Sequence, residues 1–331
     1  MRFFGMMRGM NTKRQQKRPL ISVLMSVYNE SREDVLKSVQ SILEQTYGNF
    51  EFIIVCDNPD SISIRKLLRE VEKMDDRIKI VWNKDNIGLA LSLNRAYEIS
   101  KGSIIARMDA DDISRNNRFE KQVEFLIREK CDLIWSSYSF IDEDGGEIEG
   151  SVRYYTKDEI IRNLPYKNIV HHPTVMLTRD MFEKVGGYRN FPCSQDYDLW
   201  LRMLDAGAKI EMLNEVLLQY RVRRDSVSCR KRYQQLCTLN YIRRLYRERK
   251  KGGFDSYSVE NYNNYIKKCG VGDKRCEESF RNTTKGIKDG KMNVKNGKII
   301  TGFIMIVYSV IKSKYYRQQI KLFICQKVRG I

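Results

Sequence analysis

Three carboxylates stand within four positions at Asp109-Ala110-Asp111-Asp112, after the run Ile104-Ile105-Ala106-Arg107-Met108. The apolar part of that run reads as a buried strand, so the acids sit where it leaves the core. Carboxylates this close repel one another unless a cation shares them. An Asp-x-Asp pair at a strand end supplies hard oxygen ligands suited to Mg2+ or Mn2+, with other coordination positions left to water and phosphate oxygens. A second reading of the same residues is a solvated turn in which Asp112 caps a helix starting near Asn116. Asp196 and Asp198 form another acidic pair. They open the amphipathic segment 195–204, where acids also suit the positive end of a helix. The chain's only two histidines, His171 and His172, are adjacent.

Positioning these acids requires a scaffold, and the first half of the chain describes one. Near-continuous apolar, β-prone runs at 20–27, 50–56, 78–82 and from 104 alternate with helical patterns at 33–45, 61–74 and 89–100. A β-α-β-α-β-α-β order implies a parallel sheet with helices on both faces. Ligands of such sheets bind outside the carboxyl ends of the strands. Four polar segments fall at those ends: Tyr28-Asn29-Glu30, Asp57-Asn58, Lys84-Asp85-Asn86 and Asp109-Ala110-Asp111. The second half is less regular. It predicts a helix over 118–128, a strand over 131–140 and a turn at Asp142–Gly146. A strand over 170–177 then enters a short helix at 179–185, and a last strand covers 213–220. After Arg221 the composition turns to Arg-, Lys- and Tyr-rich helix, followed by a polar stretch at 251–298. No GxxxxGK[ST] occurs, and no GxGxxG follows the first strand, which argues against a P-loop protein and a standard dinucleotide fold.

The 331 residues leave room for a large α/β domain with additions, and 42% apolar content is enough for a core. The formal charge of +18 is unevenly placed. Residues 1–19 hold six basic groups and no acid, and residues 221–331 hold 28 Lys/Arg against 8 Asp/Glu, so the middle is net acidic. Basic ends on an acidic body point to a polyanionic surface met by the ends. A nucleic-acid-binding protein is therefore a competing reading, with no zinc-finger or RNP-like motif behind it. A nucleotidyltransferase is another, although Tyr28-Asn29-Glu30 is not the Gly-rich loop such enzymes carry. The eight cysteines are scattered without a CxxC pair and read as reduced, buried thiols of a cytosolic protein. The N-terminal segment has no continuous apolar stretch and reads as a basic tail rather than a secretion signal. Residues 299–311 form an uncharged run of thirteen between Lys298 and Lys312. That is short of the about 20 residues a spanning helix needs. It reads either as a buried helix or as an interfacial helix whose basic flank, 312–329, lies on anionic lipid.

Taken together, Ile21-Ser22-Val23-Leu24-Met25-Ser26-Val27-Tyr28-Asn29-Glu30, Asn86-Ile87-Gly88-Leu89-Ala90 and Arg107-Met108-Asp109-Ala110-Asp111-Asp112 resemble a family-2 glycosyltransferase of the GT-A fold. The later markers His172-Pro173, Gly186-Gly187-Tyr188 and Gln195-Asp196-Tyr197-Asp198-Leu199-Trp200 follow in the same order. The resemblance covers about 20–228 and is closest to bacterial enzymes of capsule, exopolysaccharide and O-antigen synthesis. It implies an α/β fold with a mostly parallel central sheet flanked by helices. It implies three parts: a basic tail at 1–18, a transferase domain at 19–228, and a basic, mostly helical extension at 229–331 with a membrane-associating segment at 299–329. The activity implied is transfer of a hexose-type sugar from a nucleotide-diphosphate donor, commonly UDP-linked, with inversion. The acceptor implied is a lipid-linked saccharide, and the place implied is the cytoplasm, peripherally at the inner face of the membrane.

The same resemblance assigns roles. Asp111 would ligate Mn2+ or Mg2+ directly, and Asp109 would help with metal or ribose. Asp57 would accept a hydrogen bond from the uracil ring, although Asp57-Asn58-Pro59 departs from the usual Asp-Asp-Gly-Ser. Tyr28 and Glu30 would border base and ribose, and Lys84 would reach the base or a phosphate. Asp196 would be the base that deprotonates the acceptor hydroxyl, with a helix cap as its other reading. Asp198 orients the helix, His172 lines the sugar pocket, and Arg107 lies near the phosphates or in a surface ion pair. Relatives often read Tyr-Arg-x-His after the last strand. Here Tyr220-Arg221-Val222-Arg223 puts Arg223 in place of the histidine, so a group that neutralises diphosphate replaces one that ligates metal.

Overall fold

The computed structural model describes residues 18–150, 152–223 and 231–312. Strands β1 (Ile21–Val27) and β2 (Phe50–Cys56) are buried almost throughout, as expected of apolar runs covered on both faces. β1 pairs in parallel with β2 and with β4 (Ile104–Arg107), and β2 pairs in parallel with β3 (Ile78–Trp82). The crossovers are α1 (Arg32–Leu43), α2 (Ile62–Val71) and α3 (Leu89–Ile99). Ser31 and Ser61 cap the first two through side-chain oxygens that accept from Asp34 and Ile64 N–H. All four carboxyl ends therefore face one edge, and the four polar segments expected there lie on it.

The remaining elements are β5 (Ile113–Ser114), α4 (Arg118–Glu129), β6 (Leu133–Ile141), β7 (Glu147–Ile148), α5 (Lys157–Asn163), β8 (Met176–Thr178), α6 (Arg179–Lys184), α7 (Gln195–Asp205) and β9 (Ile210–Arg221). The sheet runs β3-β2-β1-β4-β8-β6-β9-β5, with β7 on β6. Direction reverses at β8, which is antiparallel to both β4 and β6. β9 then runs parallel to β6, and β5 antiparallel to β9. Two boundaries differ from the sequence expectation. The strand expected over 170–177 shrinks to β8, because His172–Thr174 forms a 3-10 turn around Pro173, which has no N–H for a ladder. The last strand is longer than expected, because β9 follows β6 along its length and absorbs an irregularity opposite Ser136–Tyr138.

Apolar clusters fill both faces of the sheet. One joins Leu24, Ile53, Leu93, Trp135 and Trp200, and the other joins Val23, Val39, Phe52, Leu68 and Phe119. The stretch after 230 is helical: α8 (Arg232–Gly252), α9 (Val259–Cys269), α10 (Lys274–Lys295) and α11 (Ile299–Lys312). The polar stretch 251–298 thus folds mostly as helix. Tyr241, Ile242 and Leu245 of α8 and Tyr262 of α9 belong to the same cluster as Tyr197 and Trp200 of α7, so the core continues into the extension expected from residue 229. Ionic contacts reinforce the join. Arg249 on α8 reaches Asp205 at the end of α7 (2.6 Å), and Asp255 lies between Arg249 (2.5 Å) and Arg189 (2.8 Å). Cys56, Cys131, Cys193 and Cys237 are buried thiols, Cys269 is half-buried and Cys276 exposed. Cys229, Cys325, the tail up to residue 17 and the flank 313–329 lie outside the described residues.

Candidate active site

The three acids after β4 occupy three different environments. Arg107, the last residue of β4, is buried, donates to Leu24 C=O (3.3 Å) and pairs with Asp109. Its ion pair is internal, not the surface pair expected, because the side chain points back along β1. The Asp109 C=O accepts from Ser38 Oγ (2.9 Å), which fixes the turn against α1. Asp111 is partly exposed, with Oδ2 3.1 Å from Arg223 Nε. Asp112 is fully buried, and its Oδ1 accepts the Arg221 N–H at 2.9 Å. It caps nothing: α4 starts after Asn117, and the tie to β9 takes the carboxylate elsewhere. Arg221 secures the corner by donating to the C=O groups of Asp111, Asp142 and Glu143, each at 2.9 Å, and by pairing with Asp34 (3.2 Å).

The arginines at this corner do not offset the crowding of its acids. Burial, then the charge of Asp109, raises the Asp111 carboxyl to about 7, while Arg223 pulls it down and Glu30 pushes it up. Burial and then Asp109 and Asp111 raise Asp112 well above the usual range. Burial also raises Glu30, against the N–H of Tyr28, which donates to Glu30 Oε2 at 2.8 Å. Asp112 Oδ2 has no hydrogen-bond partner among the described residues. Crowded, partly neutralised oxygens are the donor set a hard cation relieves. Among the described residues no three ligating side chains converge. A divalent ion on Asp109 and Asp111 would therefore take its other ligands from water and phosphate oxygens, which is the common arrangement for Mg2+. The residues fit such an ion on those terms.

The neighbouring strand ends form a second wall. Tyr28 presents an exposed ring after β1, and its C=O accepts from Asn58 Nδ2 (2.8 Å). Asp57 is buried, and three internal donors already occupy it: Asn83 Nδ2 (2.7 Å) and Ile87 N–H (2.9 Å) on Oδ1, and Gly88 N–H (2.9 Å) on Oδ2. It holds the turn into α3, where Gly88 has φ of +83°, a conformation that favours glycine. A carboxylate offers about four acceptor positions, so these three donors take most of Asp57's capacity. Lys84 is exposed beyond β3.

Opposite these lies the start of α7. Ser194 precedes it at φ of +59°, a left-handed conformation uncommon for a residue with a side chain. The turn presents Asp196, whose Oδ2 accepts from Asn168 Nδ2 at 2.7 Å. Burial raises the Asp196 carboxyl, while Asn168 and the N–H groups of Tyr197 and Asp196 draw it back. The carboxylate thus lies at the helix end without being spent on a cap alone. Asp198 is buried between Arg202 (2.8 Å) and Arg189 (3.6 Å), so it is unavailable for proton transfer. Arg202 also donates to Gly187 C=O (2.7 Å), locking α7 to the Gly186-Gly187 turn. Asn94 grips the next residue from both sides, donating to Tyr188 C=O (2.8 Å) and accepting its N–H (3.0 Å). Tyr188 Oη is 2.8 Å from His172 Nε2, and His172 packs on Trp200. Burial keeps His172 well below its ordinary pKa, and His171, stacked on Tyr138, at about 4.

The charge of Asp109 acts on Glu30, His171, Tyr188 and Asp196, so the strand-end acids and the α7 acid lie within electrostatic reach of one another. An open groove of about 740 Å3 between α1 and β5, lined by Leu36, Lys37 and Gln219 among others, contains none of these acids. The sequence reading assigned no part to Asn168, Asn94, Asp34 or Arg221. Asn168 carries no local signal, since a lone Asn in a loop is ordinary. Arg221 stands inside the Tyr-Arg-x-His position, two residues before Arg223, which is the one hint the sequence offers.

Comparison with known proteins identifies the family. The family model described as glycosyl transferase family 2 matches residues 22–186. The chain is 33% identical over 239 residues to an uncharacterized glycosyltransferase of Methanocaldococcus jannaschii, covering 71% of this chain and 82% of that one. It is 38% identical over 209 residues to the O-antigen biosynthesis glycosyltransferase WbnJ of Escherichia coli, covering 62% and 81%. It is 32% identical over 214 residues to an E. coli UDP-Glc:alpha-D-GlcNAc-diphosphoundecaprenol beta-1,3-glucosyltransferase, WfaP, covering 64% and 81%. Among solved structures, S. aureus TarS 1-349 in complex with UDP-GlcNAc aligns with a TM-score of 0.53 at 15% identity, over 74% of this chain and 70% of that one; this likeness is one of fold.

Proposed function

We propose that this chain, which belongs to glycosyl transferase family 2, moves a sugar from a UDP-linked donor to a hydroxyl of a lipid-linked saccharide, with inversion, in surface-polysaccharide synthesis. Family membership makes it a glycosyltransferase. The observation that carries the finer reading is that the charge of Asp109 reaches both Glu30 and Asp111 at the strand ends and Asp196 at the start of α7. The names of the E. coli relatives support the acceptor class and UDP.

In this reading residues 19–228 are the transferase unit, buttressed by α8 and α9. The Tyr28 ring stacks on the nucleobase, the remaining acceptor position of Asp57 takes a ring N–H, and Lys84 lies by the base or a phosphate. Asp109 and Asp111 would hold Mn2+ or Mg2+, which when bound would neutralise the charge of the departing diphosphate. Arg223 brings a fixed positive charge to the same place. At the start of α7 Asp196 takes the proton of the acceptor hydroxyl as its oxygen attacks the anomeric carbon. The new carbon–oxygen bond forms on the face opposite the breaking carbon–phosphate-oxygen bond, which is what inverts the centre. Asn168 aims Asp196, and burial raises the carboxyl toward a value useful for a base.

A screen of UDP-sugars, read as UDP release with nuclease-treated bacterial membranes supplying acceptor, tests this reading. One sugar giving acceptor-dependent release is the expected result. Salt-sensitive RNA binding with no turnover on any donor would favour the nucleic-acid reading instead.

A further inference from the structure

The helical hairpin formed by α10 and α11 has no use in the chemistry above, and its outer surface is unlike the rest of the molecule. The two helices meet along a seam of small residues. A Cβ on Gly290 would stand 2.8 Å from Gly302 C=O, so the backbones touch there and the position does not tolerate a side chain, and Gly286 faces the Ser309 hydroxyl. The turn between the helices closes through Gly297, at φ of +81°, and Lys298 N–H donating to Asn293 C=O (2.8 Å). With the seam so narrow, the large side chains of α11 project outward. Ile299, Ile300, Phe303, Ile304 and Tyr308 are each 58–77% exposed. A buried helix, one of the two sequence readings of 299–311, is therefore not what the chain forms. Large apolar side chains grouped on one face mark a surface that meets something apolar.

Charge identifies the partner. Lys285, Lys288, Lys291 and Lys295 of α10, Lys298 in the turn and Lys312 at the end of α11 are all exposed. Residues 274–312 hold nine Lys/Arg against three Asp/Glu, and residues 313–331 add five Lys/Arg with no acid. A second copy of the chain docking here would bring its own lysines against these, at a repulsive cost. A bilayer with anionic headgroups satisfies both features, taking apolar side chains below the headgroups and lysines among them. The fourteen residues of α11 span about 21 Å at 1.5 Å each, less than the about 30 Å hydrocarbon core. No described helix is long and apolar enough to cross a membrane. We propose that the α10–α11 hairpin lies in the plane of an anionic bilayer, with the Ile300–Phe303 face of α11 inserted and the lysines of α10 in the headgroup layer.

This proposal goes beyond the transfer reaction and does not depend on it. The full chain, nuclease-treated, is sedimented with phosphatidylcholine vesicles and with vesicles containing about one quarter phosphatidylglycerol. The expected result is binding to the anionic vesicles and at least about ten-fold less to the neutral ones, weakened but not abolished by salt. The double variant Ile300→Ser, Phe303→Ser should bind anionic vesicles about ten-fold or more weakly, because two exposed apolar groups lose their burial. Both sites are exposed, so circular dichroism and melting should match the parent. Parent protein left in the supernatant with anionic vesicles would overturn the proposal. So would a parent dimer in solution that the double variant dissociates, since the face would then belong to a second copy.

Discussion

Arg223 reaches two carboxylates at once: its Nε is 3.1 Å from Asp111 Oδ2 and its Nη2 is 2.6 Å from Asp34 Oδ2. The acid placed to ligate a cation therefore already has a cation beside it, anchored to α1. Arg223→Ala should lower UDP affinity by about ten-fold without added metal, the order of one charge-assisted contact. Saturating Mn2+ should restore most of the loss. Titration calorimetry with UDP, with and without Mn2+, reads this. Equal losses in both conditions would mean that Arg223 and the ion do not share a task.

Asp111 and Asp112 are adjacent in sequence and opposite in consequence. Asp111→Ala should fold normally and lose transfer, because a partly exposed, charge-crowded carboxylate contributes little to packing. Asp112→Ala removes the acceptor of the Arg221 N–H inside the core and should cost about 2–4 kcal/mol of stability. Urea melts of both variants check this. A stable Asp112→Ala, or an unstable Asp111→Ala, would reverse the assignment.

Neither histidine should titrate in the range where the enzyme is assayed. Burial depresses both, His171 to about 4. A histidine kept neutral by the fold contributes stability above its unfolded pKa, near 6.5, and that stability is lost as pH falls toward the folded value. These two therefore oppose folding only below about pH 6.5. NMR titration of the ring protons should be flat from about pH 5.5 to 8. A midpoint near 6.5 for His172 would make it available as an acid or base at assay pH.

The parts of this molecule legible in the sequence are those set by local pattern. β1, β2 and β4 read as strands because each is apolar on both faces, and the alternation with helices then required their carboxyl ends to share an edge. The parts not legible depend on distant partners. Asp112 looks like Asp109 and Asp111 until Arg221, 109 positions away, takes its oxygen. Arg107 turns inward because Leu24 and Asp109 satisfy it there. Asp57 resembles a base reader, yet the N–H groups of Ile87 and Gly88 fill most of its capacity. β8 was overread because an apolar count ignores what Pro173 does to a ladder.

Asp196→Asn tests the central claim most directly. The substitution keeps size and hydrogen-bonding reach toward Asn168 but cannot accept a proton. UDP-sugar affinity should be unchanged, since the donor contacts proposed above are Tyr28, Asp57, Asp109 and Asp111. Transfer under single-turnover conditions should fall by about 100-fold to 10,000-fold, the usual share of general-base catalysis. Asn is as good a helix cap as Asp, so a capping role predicts no loss. Near-normal transfer by a folded Asp196→Asn enzyme would contradict the account.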